Sequence, residues 1–222
     1  MQFGGEVMKN VAGYDVSRVM VGALGTLGVL LEASLKVLPR PESEITLIQE
    51  CAEQEALSRM NGWAGKPLPL SASCYVDGQL YVRLSGTERA VTSSAENIGG
   101  SVLEQSAEFW ESLREHRLDF FKNIGRLWRI SVPGAADPLP LSGQQLIEWG
   151  GGLRWWRSEE DVDVIRTMAE QRGGHATLFR GAEEGELVFH PLDKGLQQLH
   201  VNLKRAFDPQ GIFNPGRLYQ GL

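Results

Sequence analysis

Three glycines spaced three residues apart, Gly22, Gly25 and Gly28, are the first chemically suggestive feature of the sequence. They stand in Gly22-Ala23-Leu24-Gly25-Thr26-Leu27-Gly28-Val29, where the missing Cβ atoms let the backbone turn tightly and approach a ligand. A turn of this kind can bring successive amide N–H groups to a diphosphate. The order of elements differs from the dinucleotide fingerprint, in which a strand leads into the glycines and a helix follows. Here Asp15 is placed to cap a short helix through Met20, the glycines come next, and Leu27–Val37 reads as a strand. On spacing alone, a compact structural turn fits as well as a ligand cradle. Two further side chains carry chemistry of their own. Arg154 could hold a carboxylate bidentately, and His175 could exchange a proton near neutral pH. Both residue types also serve in well-satisfied cores, as do Trp149, Trp155 and Trp156 beside them.

The elements that must position these residues are legible from turn chemistry and periodicity. Pro39-Arg40-Pro41 closes the glycine segment, and Pro133–Pro140 interrupts the remainder. Ile45–Gln49 reads as a strand, Glu53–Met60 as a helix, and Ser71–Val76 with Gln79–Leu84 as two strands joined by Asp77-Gly78, a strong hairpin signal. Thr87 caps a helix to about Asn97, Gly99-Gly100 ends it, and Ser101–Glu104 makes a short strand. The resulting β-α-β-β-α-β order is the ferredoxin-like pattern. Ala107–Lys122 is expected as one helix, followed by strands at Leu127–Val132, Leu146–Trp149 and Leu153–Arg157. A helix capped at Ser158, a strand at Ala176–Arg180 and a helix over Leu192–Phe207 complete an α+β chain with a largely antiparallel sheet covered by helices.

Composition excludes several classes. A net charge of −6 argues against a phosphate-backbone binder, so no nucleic-acid partner is expected. The weakly polar stretch Val19–Leu31 ends at Glu32, short of the roughly 20 apolar residues of a membrane span. Met1–Gly5 shows no secretory pattern, and a cytoplasmic setting is expected. Cys51 and Cys74 are too few to hold an iron–sulfur cluster and read as reduced, buried thiols. His116, His175, His190 and His200 lack metal-ligand spacing, so no metal is expected.

As a whole, Phe3–Pro41 resembles the end of the FAD-binding domain of the vanillyl-alcohol-oxidase-like flavoproteins, and in particular the smaller FAD-binding subunits of bacterial glycolate oxidases. The resemblance runs through Phe3-Gly4-Gly5, Asn10, Gly13-Tyr14-Asp15, Gly22, Gly25-Thr26-Leu27-Gly28 and Leu35-Lys36-Val37-Leu38-Pro39. It implies that this helix–turn–strand unit lies along FAD, with Asn10, Tyr14, Asp15, Gly22, Gly25, Thr26, Gly28 and Val29 as candidate contacts. The run Phe207–Arg217, ending Asn214-Pro215-Gly216-Arg217, resembles the C-terminal signature of the same oxidoreductases, which returns to the flavin domain. There an Asn214 amide can bond a flavin edge, and an Arg217 cation can stabilise charge on reduced flavin.

The resemblance implies three parts: residues 1–41 as the C-terminal piece of the FAD-binding domain, 42–213 as a substrate or cap domain, and 214–222 as the returning tail. It further implies a glycolate oxidase complex that takes a small 2-hydroxy acid to the oxo acid, glycolate to glyoxylate. The partners would be a larger FAD-binding subunit and an iron–sulfur subunit, through which the complex would lie at the inner face of the membrane. Two family features have no match here, the Gly-rich diphosphate loop of the N-terminal FAD subdomain and the Gly-Asp-Gly-Asn strand of the catalytic relatives. FAD is therefore expected to bind this chain weakly or not at all by itself. A non-catalytic assembly subunit and an FAD-linked oxidase of another hydroxylated substrate are the alternatives.

Overall fold

The Asp77-Gly78 hairpin organises the first half of the sheet. Both residues adopt positive φ, 50° and 77°, as a two-residue turn between twisted strands requires. It joins β2 (Leu70–Val76) to β3 (Gln79–Gly86), and β3 also pairs along its full length with β1 (Ser43–Glu50). Helix α2 (Glu53–Ala64) links β1 to β2, and α3 (Glu88–Ile98), capped by the Thr87 side chain on the Ala90 amide, links β3 to the two-residue β4 (Ser101–Val102). The computed structural model describes residues 16–122 and 125–222, preceded in order by α1 (Val16–Val19).

The second half follows with α4 (Ser106–Arg114), α5 (Asp119–Lys122), β5 (Leu127–Ser131), β6 (Gln144–Glu148), β7 (Leu153–Arg157), α6 (Val162–Gln171), β8 (His175–Arg180) and α7 (Lys194–Phe207). The strands form one eight-stranded sheet in the order β4-β1-β3-β2-β6-β7-β5-β8, with every pairing antiparallel. The two halves meet at a short seam between β2 and β6, where Cys74, Tyr75 and Val76 oppose Glu148, Ile147 and Leu146.

Because residues directly opposed in an antiparallel sheet share a face, the register assigns side chains to its two sides. Tyr75, Ile147, Arg154, Ile130 and Ala176 form a row on one face, which α2, α3 and α6 cover with Leu57, Met60, Val91, Ile165 and Ala169. Val76, Leu146, Trp155, Arg129 and Thr177 form a row on the other. Helix α4 lies on that second face, where Trp110 and Leu113 pack with Leu146 and Trp155. The Trp110 Nε1 donates 2.8 Å to the buried Thr46 Oγ1. A Trp110→Phe chain should therefore lose about 1 kcal/mol from this bond in urea denaturation.

Three sequence expectations are corrected. The helix expected over Ala107–Lys122 breaks at His116, whose φ is 54°. Arg117 N bonds Ser112 O and His116 N bonds Leu113 O, a left-handed helix end built without glycine, so periodicity alone did not reveal it. Asp161, accepting from Asp163 N, caps α6, while the Ser158 hydroxyl accepts from Glu160 N in the loop before it. Residues 27–37 form no strand, because no described strand runs beside them and a ladder needs a partner. Leu31 and Leu35 accordingly stand 95% and 85% exposed.

The chain divides into two compact units: one comprises, among the described residues, 16–37 with Pro191–Leu222, and the other is Leu38–His190. These limits differ from the sequence-based ones at 41 and 213, and α7 falls in the first unit with the glycine segment. Among the described residues no helix is long and apolar enough to cross a membrane, and no group of three or more His, Cys, Asp or Glu side chains is gathered for a metal.

Candidate functional site

In the first unit, the glycine turn and the C-terminal loop are held together by one lysine. Lys204, on the last turns of α7, donates from Nζ to Thr26 O at 2.7 Å, to Phe213 O at 2.6 Å and to Asp208 Oδ2 at 2.7 Å. All three of its protons are used. Asp208 in turn accepts from the amides of Ile212 and Phe213, which folds the loop after α7 around a buried carboxylate. Asn214 completes the junction, with its Nδ2 donating 2.8 Å to Leu24 O.

The sequence-predicted cofactor contacts divide accordingly. A Cβ at Gly22 or Gly28 would meet nothing within 4 Å, so bare backbone faces open space at both positions. A Cβ at Gly25 would lie 2.8 Å from Asn214 Nδ2, so that position is closed by the chain's own asparagine. The Thr26 hydroxyl is buried and donates to Ala23 O, Val29 is 70% exposed, and Arg217 is exposed. Asn10, Tyr14 and Asp15 lie outside the described residues. Open backbone at Gly22 and Gly28 fits the approach of an anionic group such as a diphosphate, while the Asn214 amide is occupied in shaping the turn.

Sequence reasoning missed Lys204 and Asp208, although a lysine four residues before Asp-Pro was a readable signal. The lysine and two amides hold the Asp208 carboxyl down to about 2. Since this folded value lies below that of the unfolded chain, the stabilisation is present above about pH 4 and lost as pH falls towards about 2. Asp208→Asn should flatten this acid limb, which a pH series of denaturation midpoints would read.

In the second unit, a cleft of about 1120 Å³ opens on the second face of the sheet. Its lining includes Arg83, Trp110, Arg129, Glu148, Trp149 and Trp155. Arg83 is engaged, donating from Nε to Ser71 Oγ at 2.9 Å beneath the Trp110 ring. Glu148 Oε2 accepts from Trp155 Nε1 at 2.7 Å, and burial raises this carboxyl above its ordinary value, opposed by that bond and by Arg129. Arg129 lies 5.6 Å from the Trp149 ring centroid and forms no hydrogen bond or ion pair among the described residues.

Trp149 is the unusual member. It begins the 3-10 turn Trp149–Gly151 with φ 52°, a conformation costly for a bulky residue, and the residue is 70% exposed while Trp155 and Trp156 are buried. The turn is fixed by Gly150 N on Ser73 Oγ and by Gly151, whose φ is 97° and where a Cβ would fall 2.5 Å from Gly134 O.

The two sequence-predicted catalytic candidates sit elsewhere. Arg154 faces the helices, fully buried, and donates to Gly151 O, Asp137 O and Ala136 O. The fork that could hold a ligand carboxylate is occupied by carbonyls. His175 begins β8, and although the residue is exposed, partial desolvation of its ring, with the positive fields of His190 and Arg129, lowers its pKa. It shares the face of Glu148 but does not line the cleft.

These features, an open glycine turn joined to an Asn-Pro-Gly loop and a helix-covered antiparallel sheet, accompany sequence similarity to three proteins with oxidoreductase names. The chain is 49% identical, over all 222 of its residues, to glycolate oxidase subunit GlcE of Escherichia coli (strain K12), spanning 62% of that protein. That relation is consistent with the C-terminal part of a glycolate oxidase subunit. It is 51% identical, over 97% of its length and 59% of the relative's, to glycolate oxidase subunit GlcD of Bacillus subtilis (strain 168). A shorter match, 44% over 48 residues, is to D-lactate dehydrogenase of Anaerostipes hadrus. The chain thus spans about three-fifths of the length of the first two relatives. No family model matches it.

Proposed function

We propose that this chain is the C-terminal portion of the FAD-binding subunit of a glycolate oxidase, which oxidises glycolate to glyoxylate and passes the electrons on through flavin. The observation that carries the reading is the Lys204–Asn214 junction. It unites the glycine turn and the Asn-Pro-Gly loop, the two segments that resemble the flavoprotein family, across a sequence separation of 190 residues. When bound, FAD supplies the hydride acceptor that oxidation of a hydroxy acid needs.

The chain's own residues have narrower tasks. Backbone at Gly22 and Gly28 would border the diphosphate, Asn214 and Lys204 keep the turn in shape, and the exposed Arg217 would offer positive charge near the ring. The working assembly would include a larger FAD-binding subunit and an iron–sulfur subunit, in the cytoplasm at the inner face of the membrane.

Flavin absorbance tests this. The chain alone should purify with little bound FAD, whereas a chain extended at its N-terminus to the length of the GlcE relative should carry it near stoichiometrically. Gly25→Val in the extended chain, which drives a side chain into Asn214, should lower FAD retention by about tenfold. An extended chain that purifies without flavin and takes up none on titration would overturn the proposal.

A further inference from the structure

The cleft holds an arginine that forms no hydrogen bond or ion pair among the described residues, and a tryptophan exposed at a conformational cost. We propose that it binds a carboxylate carrying an aromatic or extended apolar group, with the carboxylate on Arg129 and the apolar body against Trp149.

Arg129 lies half-buried on β5 between the fully buried Trp128 and Ile130, so strand alternation fixes its direction into the cleft. A planar guanidinium presents paired donors that match a carboxylate, and a half-buried cation whose donors make no hydrogen bond among the described residues favours an anion. The neighbouring carboxylate offsets it only in part: Glu148 accepts from Trp155 Nε1 and interacts with Arg129 through its charge, without direct ion-pair contact. Arg83 and Arg114, which also line the cleft, are engaged with Ser71 and Glu115.

Trp149 decides the rest of the ligand. Its positive φ is imposed by the Gly150 and Gly151 geometry and by the approach of Gly134, and the product of that strain is an exposed tryptophan, not a buried one. With Trp63, Trp110 and Trp155 also in the lining, about 1120 Å³ of space bordered by indoles suits a ring or an extended chain better than a two-carbon acid. The inference requires no flavin and stands apart from the function proposed above.

Isothermal titration of the purified chain with 3-phenyllactate, glycolate and 3-phenylpropanol separates the contributions. Phenyllactate should bind about tenfold or more tightly than either of the others, the first comparison reading the apolar body and the second the carboxylate. Arg129→Gln should weaken phenyllactate about tenfold with an unchanged thermal midpoint, and Arg129→Lys should recover only part of it. Trp149→Leu should weaken it about fivefold and abolish most of the fluorescence quenching seen on titration. Equal binding of the alcohol, insensitivity to Arg129→Gln, or no detectable phenyllactate binding by the folded chain would each overturn the proposal. Flavin content does not enter any of these readouts.

Discussion

Arg154→Leu is expected to cost about 3 kcal/mol of stability, one increment of about 1 kcal/mol for each carbonyl left without its donor. Arg154 stands in the row Tyr75–Ile147–Arg154–Ile130, on the helix-covered face. Its guanidinium ties the Pro-rich connection at Ala136 and Asp137 to the sheet and to Gly151 in the turn below Trp149. Leucine would fit the apolar surroundings while orphaning all three acceptors, and lysine would satisfy only some of them. The diagnostic comparison is with Arg129→Gln. The Arg154 substitution should move the urea midpoint strongly and phenyllactate affinity little at temperatures where the chain stays folded, and the Arg129 substitution should do the reverse. A ligand-binding Arg154 would instead show lost affinity at unchanged stability.

Gly151→Ala is expected to cost at least about 3 kcal/mol, because it combines a positive φ with a collision against backbone. The new Cβ would lie 2.5 Å from Gly134 O, and a carbonyl in the main chain has less freedom to yield than a side chain. Gly150 is the control next door. Its φ is 62°, yet a Cβ there meets nothing within 4 Å, so Gly150→Ala should cost only the left-handed penalty of about 1 to 2 kcal/mol. If the two alanine variants prove equally stable in denaturant, the close approach of Gly134 is not holding the turn.

The sequence reading succeeds where local chemistry dictates the outcome. Asp77-Gly78 admits one kind of turn, Thr87 and Gly99-Gly100 bracket α3, and together they force the four-strand order β4-β1-β3-β2. It fails where the deciding partner is distant. His116 ends α4 in a left-handed conformation that no glycine announces, supported by stacking on Phe121 and edge contacts with Trp155 and Phe179. The apolar run after Gly28 looks like a strand by composition, but pairing is a property of two segments, not one.

The candidate site shows the same division. The glycine turn, the Asn-Pro-Gly loop and the i,i+4 pair Lys204–Asp208 were legible as patterns; the bond from Lys204 to Thr26 O was not, since that contact spans 178 residues. In Leu153-Arg154-Trp155-Trp156-Arg157, strand periodicity sets Arg154 beside Trp156 and opposite Trp155, but nothing local says which side is open. Only the placement of α6 and α4 gives one arginine to the core and leaves Arg129 to the cleft.

The three-rung seam between β2 and β6 also sets a timetable. During synthesis, residues 43–102 can assemble their four strands while β2 still presents a bare edge at Cys74, Tyr75 and Val76. The strand that covers it ends at Glu148, so at about 5 to 20 residues per second the edge waits for seconds on the ribosome. Whatever slows translation between these two points lengthens the interval in which two nascent chains can pair with each other in place of themselves.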